Sequence, residues 1–146
     1  MPKNRLAEDL DDDLSPHADE EVAELTQGEL VRLKKALQEE RSVVRARLDR
    51  HLAEAVEDSD NLPDEMDLAT RQSDQAYLLR LADKEKKLLA EIDHALAKFD
   101  RGVYGRCEGT GEPIGIRRLE LRPWTRHGLE YKERLEREKG GRGKGG

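Results

Sequence analysis

With 146 residues, 41% of them charged and 35% hydrophobic, and only one Phe, one Trp and three Tyr, the chain lacks the apolar mass for a large globular core and suits long, mostly solvated helices. No apolar run approaches the ~18 residues of a membrane span, Met1-Pro2-Lys3-Asn4 opens no secretory leader, and a single cysteine excludes an intramolecular disulfide, so a cytoplasmic protein without membrane association is expected. The net charge of -6 lies in residues 1–21, with eight acids against two bases, while the other 125 residues hold 25 of each; that balanced body lacks the concentrated basic face of a sequence-specific DNA binder.

Residues 1–25 read as an acidic N-terminal arm, partly disordered, with a weak helical start near Ala18 to Leu25. Thr26 is an N-cap candidate with Glu29 three residues on, the spacing of a capping box. From there Leu30, Leu33, Leu37, Val44, Leu48 and Leu52, closed by Ala55 or Val56, keep the rhythm of a helical seam. The polar run Asp58-Ser59-Asp60-Asn61-Leu62-Pro63-Asp64 reads as a turn. A second seam of Leu78, Leu81, Leu88, Ile92, Ala95 or Leu96, and Phe99 ends at Arg101-Gly102, where glycine supplies a left-handed residue after the helix. Two arms of roughly 30 residues, each about 45 Å long, predict an antiparallel hairpin over 26–102 with its tip near 58–69.

Beyond the hairpin, Gly105-Arg106-Cys107-Glu108-Gly109-Thr110-Gly111 and Ile114-Gly115-Ile116-Arg117-Arg118-Leu119-Glu120 have the outline of a four-cysteine zinc knuckle with one cysteine left. Turns and a small hairpin are expected over Val103 to Pro123, and a last helix from about Trp124 to Glu138. Together these make a zinc-finger-like lobe with a C-terminal helix over 103–138. The Gly-rich end, 139–146, reads as a flexible basic tail. The predicted fold class is mainly α: a long antiparallel two-helix coiled-coil hairpin, a small degenerate zinc-finger-like lobe and a C-terminal helix.

Residues able to carry chemistry are few. Pro63 favours the first turn of a helix, which sets Asp64 and Asp67 three apart on one face. They read either as first-turn capping carboxylates or as two charges held far from the body for a basic or metal-bearing site on a partner. Met66 and Leu68 beside them favour a contact. Catalytic carboxylates need a cleft and shifted pKa values, which a solvated tip lacks. No Ser-His-Asp set, phosphate loop or HExxH motif occurs, so no enzyme is expected. His94 near the seam reads as a packed or surface residue. Arg117, Arg118 and Arg122 read as a surface ion-pair set with Glu108, Glu112 and Glu120.

Over roughly residues 26–138 the chain resembles the DksA/TraR family of bacterial transcription regulators. The tip Asp64-x-x-Asp67-x-Ala69 is similar to the family's D-x-x-D-x-A motif. Tyr104-Gly105-x-Cys107-Glu108 with Ile114-Gly115-Ile116-Arg117-Arg118-Leu119-Glu120-x-Arg122-Pro123 is similar to its zinc-finger signature. The resemblance implies a partner, RNA polymerase, entered through the secondary channel without promoter-DNA binding, and a place in the stringent response. It makes Asp64, Asp67 and Ala69 the residues that approach the polymerase active centre.

The family's four zinc cysteines fall on Cys107, Thr110, Gly128 and Tyr131. Three thiols are missing, so no bound zinc is expected, and Tyr131 with Trp124, Leu119, Ile114 and Ile116 is expected to form an apolar plug. His127 beside the third position is a poor second ligand, and Cys107 reads as a packed residue or a reactive thiol. The family's alarmone, guanosine tetraphosphate, is a candidate co-effector at the polymerase interface. Arg122 and Lys132 fall on matching basic positions, Lys84 and Arg118 are further candidates for alarmone or polymerase contact, and Glu91 stands where the family has lysine. The expected function is thus a monomeric, zinc-independent, secondary-channel regulator. The alternative is a structural or adaptor coiled-coil protein offering its hairpin to another protein.

Overall fold

The computed structural model describes residues 22–59 and 65–145, with side chains described for 22–57 and 68–140. Four helices follow in chain order: α1 (Gln27–Ser59), α2 (Glu65–Arg101), α3 (Ile116–Leu121) and α4 (Leu129–Gly145). The described residues form no strand; an isolated bridge joins Arg106 and Pro113.

The start of α1 is fixed locally. Thr26 N–H donates to Glu29 Oε1 at 2.8 Å, and Glu29 N–H donates to Thr26 Oγ1 at 3.1 Å, closing the reciprocal capping box. The end of α2 is equally local. Gly102 takes a φ of 70°, its N–H donates to Phe99 O at 3.2 Å, and Val103 N–H donates to Lys98 O at 3.0 Å. This is the paired Schellman pattern that only a left-handed residue permits cheaply.

Between these ends α1 and α2 pack antiparallel. Ala55 O accepts from Gln75 Nε2, His51 meets Glu85, and Arg41 meets Asp93, so α1 numbers fall as α2 numbers rise. Leu33, Leu37, Val44, Leu48 and Ala55 are buried on α1, and Ala82, Leu89, Ile92 and Ala95 on α2. Val56 is 62% exposed, so Ala55 closes the first seam. On α2 the buried stripe is Ala82, Glu85, Leu89, Ile92 and Ala95, spaced three, four, three and three. It runs one residue beyond the predicted Leu81 and Leu88, which are half-buried. A pattern weighted toward leucine misses a stripe that uses alanine and a carboxylate. Residues 60–64, most of the predicted turn, lie outside the described residues, and α1 runs through Ser59.

The base of the hairpin carries the lobe. Phe99 and Tyr104 stack with ring centroids 4.0 Å apart, and the Tyr104 hydroxyl donates to Pro123 O at 2.8 Å. Cys107 N–H to Glu112 O, Gly111 N–H to Cys107 O and Ile114 N–H to Gly105 O shape the small hairpin. Leu25, Leu30, Ile116, Trp124 and Tyr131 pack against one buried cluster that joins Tyr104, Cys107, Ile114 and Leu119 to the stalk core, so the expected apolar plug forms and continues into the stalk.

Four boundaries differ from expectation. A short helix, α3, stands within the segment read as turns and hairpin; its six residues are too few to show a period. The last helix begins at Leu129, not Trp124, because 124–128 is an irregular loop pinned by Arg118, whose Nε donates to His127 O at 2.9 Å and whose Nη2 donates to Thr125 Oγ1 at 3.3 Å. That helix continues to Gly145, across the expected tail. Finally, residues 22–26 are not helical: Leu25 is drawn onto Gly105, and Glu24 pairs with Arg106. The rest of the acidic arm, residues 1–21, lies outside the described residues.

Candidate functional site

At the far end of the stalk, Asp64 lies outside the described residues. Asp67 is the third residue of α2, where a helix start favours negative charge, and its side chain is likewise undescribed. Leu68 and Ala69 follow with exposed side chains. From Asp67 to Arg101 the helix rises about 50 Å, so this end stands far from the lobe.

In the lobe, the four positions expected to correspond to zinc ligands do converge. Cys107 is 4% exposed. Burial resists ionisation of its thiol, but the Thr110 hydroxyl and the backbone of Gly128, Thr110 and Gly109 hydrogen-bond to it, and together they lower its pKa from the ordinary value. The Tyr131 ring presses so closely on Gly109 that a Cβ there would overlap three ring atoms. Behind the ring, His127 tilts against it at 5.0 Å and the Arg134 guanidinium covers it at 5.0 Å.

This donor set does not fit a tetrahedral zinc, which needs thiolate, imidazole or carboxylate at every position. Cys107 alone of the four qualifies, and His127 is turned to Tyr131. Among the described residues no three His, Cys, Asp or Glu side chains gather as a metal site.

A charge cluster ties the lobe to α2. Lys98 Nζ lies 2.6 Å and His94 Nε2 2.7 Å from Glu108 Oε2. The Lys98 side chain is only 5% exposed, so a partner is obligatory. Burial raises the Glu108 pKa, but the hydrogen bonds and charges of Lys98 and His94 outweigh it and hold it at about 2. Arg126 grips Glu91 in a two-pronged contact, Nε to Oε2 and Nη2 to Oε1 at 2.8 Å each, and its backbone O accepts from Glu108 N–H at 2.8 Å. The Glu91 hydrogen bond raises the Arg126 pKa further.

Sequence reasoning missed Lys98 and Arg126. The available signal was the spacing of Glu91, His94 and Lys98, three and four apart on one face of α2. The expected surface ion-pair set is rearranged: Glu108 takes Lys98 and His94, Glu120 takes Arg32 at 3.0 Å, and Arg118 is committed to the 125–127 loop. Of the candidate alarmone or polymerase contacts, Arg122 and Lys84 are exposed and Lys132 is half-buried. They lie on separate elements, with Lys84 one heptad, about 10 Å, from Glu91.

Residues 29–99 match the N-terminal domain of the DnaK suppressor protein DksA, and residues 102–128 match the prokaryotic dksA/traR C4-type zinc finger. The structure of transcription factor DksA2 from Pseudomonas aeruginosa aligns with a TM-score of 0.72 at 40% identity, over 77% of this chain and 87% of that one. The chain belongs to the DksA/TraR family. Other DksA-family relatives are the RNA polymerase-binding transcription factors DksA of Caulobacter vibrioides, 45% identical over 55% of this chain and 56% of theirs, and of Escherichia coli strain K12, 33% identical over 68% of this chain and 66% of theirs. The match to the Caulobacter proteins thus spans little more than half their length. Within the DksA/TraR family, this chain carries the C4-type pattern with one cysteine.

Proposed function

We propose that this DksA-family chain regulates transcription initiation by binding RNA polymerase, with Asp64, Asp67 and Ala69 entering the secondary channel, and that it does so without zinc. The observation that carries the reading is the long hairpin whose base is clamped to a lobe in which Tyr131 packs among the former ligand positions. A stiff rod of this kind holds charge at a set distance, and charge acts strongly in a confined site. The names of the relatives support polymerase as partner. The chain acts as a monomeric cytoplasmic binding regulator, not an enzyme, and reads no DNA sequence. No helix among the described residues is long and apolar enough to cross a membrane.

Guanosine tetraphosphate is the proposed co-effector at the polymerase interface, with Arg122, Lys132 and Lys84 as contacts and Arg118 as a brace for the 125–127 loop. Glu91, where the family has lysine, is met by Arg126, so its charge is offset locally and not left facing a pyrophosphate.

The test is run-off transcription with Asp67→Asn, with and without the alarmone. Polymerase binding retained with the transcriptional effect lost supports the channel reading. An unchanged effect overturns it and favours an adaptor hairpin. Elemental assay of the purified protein tests the metal claim: stoichiometric zinc refutes it.

A further inference from the structure

Among the described residues the stalk buries one carboxylate. Glu85 is 9% exposed and sits in the apolar stripe between Ala82 and Leu89. Its Oε2 lies 2.8 Å from His51 Nδ1 and its Oε1 3.6 Å from Arg47 Nε. Arg47 Nε is itself buried and makes no hydrogen bond. So the layer is paired but not fully satisfied, and aliphatic residues of the same size would pack there without that desolvation cost.

The rest of the seam has little power to choose a register. Leu33, Leu37, Val44, Leu48 and Ala55 facing Ala82, Leu89, Ile92 and Ala95 are small or medium aliphatics at helical spacing, and a slip of a turn or a heptad still sets aliphatic on aliphatic. We propose that the Arg47–His51–Glu85 layer is the register lock of the hairpin, making these three the residues that fix how far α1 runs along α2. Sliding α1 by one turn in one direction sets Ala55 where His51 stood and His51 where Arg47 stood, so the buried Glu85 keeps one base in place of two. Sliding one turn the other way brings Arg47 opposite Glu85 but sets Asp93 on Leu37, and the Arg41–Asp93 contact at 2.6 Å is lost. A heptad slip sets Glu85 on Val44 or, in the opposite direction, Asp93 on Leu48. No slip of a turn or heptad keeps both Arg47 and His51 on Glu85, as one buried polar layer specifies register in coiled coils. A one-turn slip moves the distal end of α1 by about 6 Å along α2, while Asp67 and Ala69, on α2, keep their distance from the lobe.

The test places spin labels, attached by oxime chemistry so that Cys107 is untouched, at the exposed Val31 and Leu79, about 40 Å apart along the stalk by helical rise. Pulsed dipolar spectroscopy should give a single distance for the otherwise native chain. The all-leucine layer, Arg47→Leu with His51→Leu and Glu85→Leu, should melt no lower than the native chain, yet add a second distance about 6 Å away. Glu85→Ala, which leaves the two bases in place, should broaden the distribution as well. A single native distance in either substituted protein overturns the lock.

Discussion

Gly109→Ala is the sharpest probe of how the lobe holds together. Gly109 is not among the glycines with positive φ, so its backbone accepts alanine, and the nearest obstacle is the Tyr131 ring, which overlaps the new methyl. The ring joins the buried cluster of Tyr104, Cys107, Ile114 and Leu119 and must leave its seat. Overpacking of this kind costs about 1–3 kcal/mol. Urea unfolding followed through Trp124, the one tryptophan, should report that loss. Amide exchange at Cys107 and Gly111, which donate within the small hairpin, should quicken, and Cys107 should react faster with a thiol reagent. The deciding measurement is the cycle with Tyr131→Ala. With the ring gone the methyl's three nearest contacts go with it, so the double variant should be about as stable as Tyr131→Ala alone, with a coupling near the full cost of Gly109→Ala. Strictly additive losses would refute the idea that Tyr131 braces this turn.

Three further outcomes follow from the same contacts. Glu108, held at about 2 against an ordinary 4.5, contributes stability that is complete above about pH 4.5 and is lost as pH falls through 2; discounted for its part-exposed side chain this is about 1–2 kcal/mol, and Glu108→Gln should flatten the pH dependence of the unfolding midpoint in that window. Arg126→Ala should cost no more than about 1 kcal/mol, since both partners are more than a third exposed and such pairs are weak, and ~1 M salt should shrink the difference from the native chain. Thr26→Ala should cost about 1 kcal/mol and speed exchange of the Glu29 amide, seen by nuclear magnetic resonance.

What could be read before folding was what the chain decides locally. Thr26 with Glu29, Gly102 after Arg101, and the leucines of α1 each act within a few residues, and each has the expected role. The second seam was legible only in outline, because Ala82 and Glu85 take core places that apolar weighting ignores. Glu85 is acceptable there only through Arg47 and His51, which lie 34 or more residues earlier. The same holds for Lys98 with Glu108 and Arg126 with Glu91: unlike charges far apart in number carry no mark of their partner. Cys107, Thr110, Gly128 and Tyr131 do come together, but the closing of Tyr131 over Gly109 depends on a missing side chain, which no pattern of residue types announces. The tip was legible as a motif, and the Asp67→Asn experiment tests its role.

The joint where Phe99 stacks on Tyr104 and Tyr104 holds Pro123 has a mechanical consequence. With glycine closing α2 and two charged grips fastening the loops alongside, the lobe is welded to the rod and does not hang from it. A helix of 37 residues is a lever of about 55 Å, so each degree of rotation imposed on the lobe sweeps the distant end through about 1 Å. Whatever seizes the lobe therefore also aims the point.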